Sequence, residues 1–299
     1  MPPSLMPANS ALPAKCIRTH LTANKQALPV TTSLPSSRRR TLKRSHAVAR
    51  SDARGANADD LKFYTHTLCP YAQRVTLTLL EKGVDFETVE VDLSNKPRWY
   101  YEINSLGLVP ALSWNGHVTV ESLDICKYID TEFAGPALVP EDSEGQRRVE
   151  EIFSSCDHVA SRGLRFLAGR DRYWGIGEPS LDTPTAQADF QASLVQLSEQ
   201  IDLHGGPYLA GSSVTLADLV LLPFMERFDM CIREFRDDFD LRREGGCEDI
   251  TPIGNWLELM EKRPAAKEAA ADPAKLLAAF KRYRSLDFFD YVSMTKSTL

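Results

Sequence analysis

A break at Gly135-Pro-Ala-Leu-Val-Pro140 divides this chain into two stretches whose apolar residues recur with different periods. Gly and Pro together interrupt helices and strands alike, so the run reads as a linker. Before it, from Leu61 to about Phe133, the pattern alternates strand, helix, strand, helix, strand, strand, helix. Leu61-Lys-Phe-Tyr-Thr65 is β-like, and Phe86-Glu-Thr-Val-Glu-Val-Asp92 alternates with the period of a half-buried strand. Residues 97–103 leave room for a short helix entered through Ser94 or Asn95. Pro110-Ala-Leu-Ser113 and His117-Val-Thr-Val120 flank Trp114-Asn-Gly116, and Asn-Gly between short β-like runs predicts a hairpin. Ser122 is placed to cap a helix carrying Leu123, Ile125, Cys126, Ile129 and Phe133.

After the break the pattern is helical. Val149, Ile152, Phe153, Cys156 and Val159 recur on a helical period, as do Phe190, Leu194, Leu197 and Ile201. Thr215-Leu-Ala-Asp218 has the spacing of a capping box, with Asp in place of Glu, at the head of an almost wholly apolar helix over residues 216–224. A helix that apolar belongs at a domain centre. Later helices run through Trp256, Leu257 and Met260, then over residues 275–283.

The first 51 residues differ from both stretches. They hold nine Lys or Arg and no Asp or Glu, and they are rich in Ser, Thr, Ala and Pro. This acid-free, Arg- and Ser-rich composition predicts an organellar transit segment over residues 1–57. The six prolines work against a persistent amphipathic helix and turn the reading toward plastid over mitochondrion. A disordered basic tail on a cytosolic protein is the alternative. The remaining residues carry 26 basic groups against 41 acidic ones, a net of −15. Such a surface repels nucleic acid and anionic membranes, and no run is apolar enough to span a bilayer. The six cysteines show neither zinc-ligand spacing nor a disulfide framework.

Thr67-Leu-Cys-Pro-Tyr-Ala-Gln-Arg74 carries the chemistry. Pro70 suits a first helical turn, where its missing N–H costs nothing. Cys69 then sits at the cap, facing free N–H groups and the positive end of the helix dipole, which favours the reactive thiolate. The second cysteine of a Cys-x-x-Cys redox pair is replaced by Ala72. A nucleophilic cysteine without a local resolving partner implies that a small thiol, most simply glutathione, completes the reaction. Tyr64 and Thr67 place hydroxyls nearby, so a hydroxyl-assisted route, in which the thiolate of glutathione itself is stabilised, is the rival mechanism.

Cys69-Pro-Tyr-Ala-Gln-Arg74, Leu106-Gly-Leu-Val-Pro110, Glu121-Ser-Leu-Asp124, Lys127-Tyr-Ile-Asp130 and Pro223-Phe-Met-Glu-Arg-Phe228 stand in the order found in cysteine-type glutathione transferases. Together with the linker they resemble the lambda class most, with the omega class and plant dehydroascorbate reductases as near relatives. The resemblance covers about residues 60–290. It implies an α/β thioredoxin-like domain over residues 58–134, a linker over 135–143, and an all-α domain over 144–299. It also implies glutathione as co-substrate and no metal. Val109 pairs its backbone with the cysteinyl part of glutathione, and Pro110 is cis. Glu121 and Ser122 receive the γ-glutamyl end, and Lys96 supports a carboxylate. Tyr71 lines the site or, equally, faces the domain interface. The second substrate, a small organic molecule or a disulfide, is expected between the domains. The helix near Arg147, the helix after Thr215 and the loop at Tyr173-Trp174 are its candidate walls.

The activity implied is glutathione-dependent thiol transfer: reduction of mixed disulfides or removal of glutathione from small conjugates, through Cys69. Dehydroascorbate reduction by the same cysteine, and non-catalytic carriage of aromatic or tetrapyrrole ligands, are the alternatives. A membrane-inserting relative of the fold is disfavoured by the acidic body. The lambda class and the plant dehydroascorbate reductases imply a monomer, the omega class a dimer, and the monomer is the expectation. Cys126 departs from the aliphatic residue expected there; it reads as a small core residue, with a second redox-active thiol as the sharper alternative.

Overall fold

Four short strands and the helices around them follow the alternation of the first stretch. In the computed structural model, residues 60–168, 183–236, 239–242 and 250–285 are described. Strand β1 (Lys62–Thr65) leads to helix α1 (Pro70–Lys82), β2 (Glu87–Glu90), a single turn α2 (Tyr100–Ile103), β3 (Ala111–Trp114), β4 (His117–Val120) and α3 (Ser122–Glu132). The strand order is β2-β1-β3-β4; β1 pairs parallel with β2 and antiparallel with β3, which pairs antiparallel with β4. Alternate side chains along β1 serve opposite faces of the sheet. Phe63 and Leu112, partners across β1 and β3, face the core shared with Val75, Leu79, Ile125 and Ile129. Tyr64 and Ala111, one residue along, join Tyr100, Val109 and Val91 on the other side. This is the thioredoxin-like domain that the sequence predicts.

The hairpin forms at Asn115 and Gly116, both with positive φ, as a two-residue loop matched to strand twist requires. The short helix is a correction. Asp92 accepts N–H bonds from Ser94 at 2.8 Å and Asn95 at 3.2 Å, forming a turn, so the chain enters α2 only at Tyr100 with Trp99 before it. Ser122 is a second correction. Glu121, at φ 69°, occupies the cap position, and Ser122 is the first residue inside α3.

The rest is helical: α4 (Ser143–Ala168), α5 (Thr183–Leu203), α6 (Leu216–Phe235), α7 (Thr251–Glu261), α8 (Pro264–Ala269) and α9 (Pro273–Ser285). Helix α6 runs well past the predicted apolar stretch, continuing through Pro223, and is buried along most of its length. Gly163 of α4 lets the Phe228 ring approach so closely that a Cβ would lie 2.5 Å from it. The two helices therefore cross on a glycine. At the head of α6, Asp218 accepts the Thr215 N–H at 2.8 Å, the Thr215 hydroxyl at 3.0 Å, the Leu209 N–H at 2.9 Å and the Trp256 Nε1–H at 2.8 Å.

The segment between the domains is clipped to both. Asp130 of α3 accepts the N–H groups of Leu138 at 2.9 Å and Val139 at 3.0 Å, and pairs with buried Lys82 of α1 at 3.0 Å. The Leu138 carbonyl accepts the Leu216 N–H at 2.8 Å. Helix α1 then packs on α6, so the start of the reactive helix lies along the domain interface.

Candidate active site

Cys69 occupies the cap position of α1 in extended backbone (φ −79°, ψ 118°), with Pro70 opening the helix. Its N–H reaches the His66 carbonyl at 2.9 Å and its carbonyl accepts the Gln73 N–H at 3.0 Å, which fixes the turn carrying the sulfur. The Sγ lies 3.8 Å from the Val109 carbonyl oxygen, to which the thiol donates. Val109-Pro110 is cis, as the resemblance implies. The loop before it is held by Leu108, whose carbonyl accepts the Tyr100 hydroxyl at 2.6 Å and the Asn104 amide at 2.9 Å. Cys69 and the Val109-Pro110 loop, 40 residues apart in sequence, thus meet at the end of the two central strands, beyond the last residue of β1 and before the first of β3.

The ionisation of Cys69 departs from the expectation. Burial pushes the thiol above its ordinary pKa. The Ala72 N–H, the Arg227 guanidinium, the Tyr71 N–H and Arg74 oppose that rise, in decreasing order. The helix-start donors favour the thiolate as predicted. Desolvation outweighs them, because Cys69 packs against both apolar clusters of the domain. Burial therefore favours the neutral thiol over the thiolate.

Ser122 is joined to this region through Arg74, whose Nη1 lies 3.3 Å from the Ser122 hydroxyl oxygen and whose Nε donates to the Val220 carbonyl at 2.9 Å. The guanidinium is buried between the rings of Tyr71 and Phe224, with its carbon 5.1 and 4.8 Å from their centroids. Tyr71 therefore faces the domain interface, edge-on to Phe224 at 5.2 Å, and burial raises its hydroxyl above the ordinary range. Glu121 is exposed beside buried Ser122. Lys96 is half-buried, its chain against the Gly107 turn and Tyr101, with no ion-pair partner among the described residues. Tyr64 is buried against Tyr100 and Trp99, and burial raises its pKa. Thr67 is exposed, and its N–H donates to Glu90. Cys126 is fully buried, accepts the Thr78 hydroxyl at 3.2 Å and is pushed up to about 11 by burial, which favours the core reading over a second reactive thiol.

Comparison with known proteins gives the family. Residues 68–132 match the family model for the glutathione S-transferase N-terminal domain. Glutathione S-transferase L1 of Arabidopsis thaliana is 31% identical over 74% of this chain and 86% of its own length. The chloroplastic glutathione S-transferase L2 of the same plant is 32% identical over 74% of this chain and 70% of its own. The chain belongs to the glutathione transferase superfamily. A solved omega glutathione transferase (3C) of Trametes versicolor superposes with a TM-score of 0.61 at 24% identity, over 76% of this chain and 92% of that one. That likeness supports the fold.

Two expectations about the second substrate of this glutathione transferase meet the structure differently. Helices α4 and α6 do pack together, but Arg147 near the start of α4 is exposed and paired with Glu144. Tyr173-Trp174 lies outside the described residues. A groove of about 320 Å³ opens between α3 and α4, lined by Lys127, Asp130, Gln146, Val149, Glu150 and Phe153, and Cys69 is not part of its lining. Among the described residues no helix is long and apolar enough to cross a membrane.

Sequence reasoning missed a polar cluster beside the thiol. Arg227 of α6 donates to the Leu68 carbonyl at 3.1 Å, the Gln73 side-chain carbonyl at 2.5 Å and the Pro223 carbonyl at 2.6 Å. Gln73 in turn donates to Glu226 at 2.8 Å, and burial lifts that carboxyl to about 7. The available signal was the adjacent charged pair Glu226-Arg227, just beyond the apolar run at the head of α6.

Proposed function

We propose that this protein is a lambda-type, cysteine-dependent glutathione transferase that reduces mixed disulfides and removes glutathione from small conjugates. The observation that carries the reading is Cys69 at the start of α1, 3.8 Å from the Val109 carbonyl, with Ala72 where a resolving cysteine would stand. On a mixed disulfide of glutathione, the Cys69 thiol gives its proton to solvent and the resulting thiolate attacks the glutathionyl sulfur. A Cys69–glutathione disulfide forms and the other thiol leaves as thiolate. A second glutathione thiolate attacks the glutathionyl sulfur of that disulfide, releasing oxidised glutathione and the Cys69 thiolate. The attacking species in both exchanges is a thiolate sulfur.

Val109 supplies the backbone edge for the cysteinyl unit. Ser122, in the first turn of α3, offers its hydroxyl and a helix-start N–H to the γ-glutamyl carboxylate, and exposed Glu121 receives the ammonium. Lys96, without an ion-pair partner among the described residues, is available to the far carboxylate. Tyr71 acts from the interface, on the side of the helical domain. The rival hydroxyl mechanism is weakened by burial of Tyr64 against two aromatic rings. The basic segment over residues 1–57, acid-free through residue 51, and a relative whose name specifies the chloroplast, support delivery to plastids.

The test assays the protein and its Cys69→Ser variant with hydroxyethyl disulfide, dehydroascorbate and a flavonol–glutathione conjugate. Turnover of the first and third by the wild type, lost by at least about 100-fold in the variant, is the expected result. Near-normal turnover by the variant would overturn the mechanism. Preference for dehydroascorbate would move the protein to the reductase reading, and binding of flavonols without turnover would make it a carrier.

A further inference from the structure

Among the described residues of α6, Arg227 is the charged side chain that reaches across to both sides of Cys69. It is 3% exposed, on a helix that is wholly apolar from Leu219 to Met225 and buried along most of its length. A guanidinium is costly to bury unless its donors are met, and two of the acceptors named above lie in the other domain. The Leu68 carbonyl comes one residue before Cys69, and the Gln73 side chain one turn after it. These contacts bracket the turn that carries the sulfur. Gln73 is oriented for this by its neighbour, because its amide nitrogen donates to Glu226 and so presents its oxygen to Arg227. One amide of α1 is thus held by two consecutive residues of α6.

We propose that Arg227 is a positioning residue for the Cys69 reaction, fixing the Leu68–Cys69 turn from the helical domain and supplying positive charge to the sulfur as it ionises. The proposal rests on the reading of Cys69 as the reacting thiol. A long-range cation enclosed in protein acts more strongly than one in water, and the charge of Arg227 is among the influences that hold the Cys69 thiol down against burial. Arg74 contributes from α1 in the same sense but less, and its guanidinium is committed to Val220, Ser122 and two rings. The other titratable groups around this cluster include His66, whose Nδ1 accepts the Leu68 N–H at 3.3 Å, Tyr71 on α1, Tyr100 on α2, Glu121, Asp157 on α4, and Glu226 with Glu261 behind it. A residue that merely fastened the domains together would leave the acidity of Cys69 untouched; a positioning charge would not.

The experiment follows alkylation of Cys69 by iodoacetamide against pH in the full chain, read at the Cys69 peptide by mass spectrometry, for the wild type, Arg227→Lys and Arg227→Gln. Thermal melting of each is measured alongside, and Arg227→Met replaces the Gln variant if that one does not fold. Loss of the charge is expected to move the midpoint upward and slow alkylation at neutral pH by about tenfold. Arg227→Lys is expected to stay within about threefold of the wild type even where its melting temperature falls with that of the neutral variant. A neutral variant whose profile superimposes on the wild type overturns the proposal, as does a Lys variant as slow as the neutral one. A wild-type Cys69 that resists alkylation at every pH would bring down the thiol-transfer reading as well. Wild-type turnover with an unmoved profile in the neutral variant would bring down the role of Arg227 alone.

Discussion

Helices α6 and α1 face the same demand, a set of backbone N–H groups at a helix start without partners in the helix, and meet it in opposite ways. At α6 the Asp218 carboxylate is fully buried and accepts four hydrogen bonds, two from Thr215, one from Leu209 and one from Trp256. At α1 no side chain of the described residues caps the helix; the cap residue is Cys69, and Pro70 removes one N–H outright. One start is closed by an acceptor that is always present. The other keeps its donors for a sulfur that is charged only during reaction. The first serves folding, and the second leaves stability unclaimed so that chemistry can use it.

Three substitutions test that contrast. Asp218→Ala should have the largest effect, because it strands donors from a loop, a helix start and the Trp256 indole in a dry interior. A loss on the order of 3 kcal/mol in denaturant-unfolding stability is expected; a loss within experimental error would mean the closed start is not a folding device. Cys69→Ser should act in the other direction. Extended backbone at residue 69 suits a serine cap, so the variant should unfold later by about 0.5–1 kcal/mol in the same titration while losing turnover. Unchanged or reduced stability would show that the open start had nothing to gain.

The third effect appears only as a dependence on pH and concerns the interface behind α1. Burial raises the Glu226 carboxyl to about 7 in the folded chain, against about 4.3 when unfolded. A raised carboxyl stabilises the fold in its protonated form, so that contribution is complete below about pH 4.3 and is lost as pH rises through about 7. Glu226→Gln removes this dependence. Its melting temperature relative to the wild type should therefore rise by a few degrees between about pH 4.5 and pH 8, as read from paired melts. A constant difference would place Glu226 outside the buried network.

Much of the contrast is legible in local sequence. Thr215-x-x-Asp218 and Cys69-Pro70 specify their helix starts within one turn of chain, and Asn115-Gly116 specifies its hairpin, because each signal is a backbone geometry that few residues permit. Ser122 is displaced by one position because Glu121 adopts positive φ and takes the cap, a conformation its type does not announce. The turn around Asp92 delays α2 for a similar reason: a side chain competes locally for N–H groups that a helix would have used. The acidity of Cys69 is not legible, since desolvation depends on the side chains packed over a residue rather than on its neighbours along the chain. Arg227 is hidden by distance. It lies 159 residues from the Leu68 carbonyl it holds, and only the packing of α1 on α6 brings them together.

The clip at Asp130 bears on how such a protein can be taken apart. Its carboxylate joins Lys82 of α1 to the backbone at Leu138 and Val139, and Leu138 passes the connection to the first residue of α6. Cutting the chain at residues 135–140 would sever a strut common to both halves, one that ends on the helix carrying Cys69. The two domains are therefore poor candidates for exchange as separate parts: a transplanted N-terminal half would arrive without Arg227 and with the Asp130 carboxylate held by Lys82 but stripped of its two backbone donors.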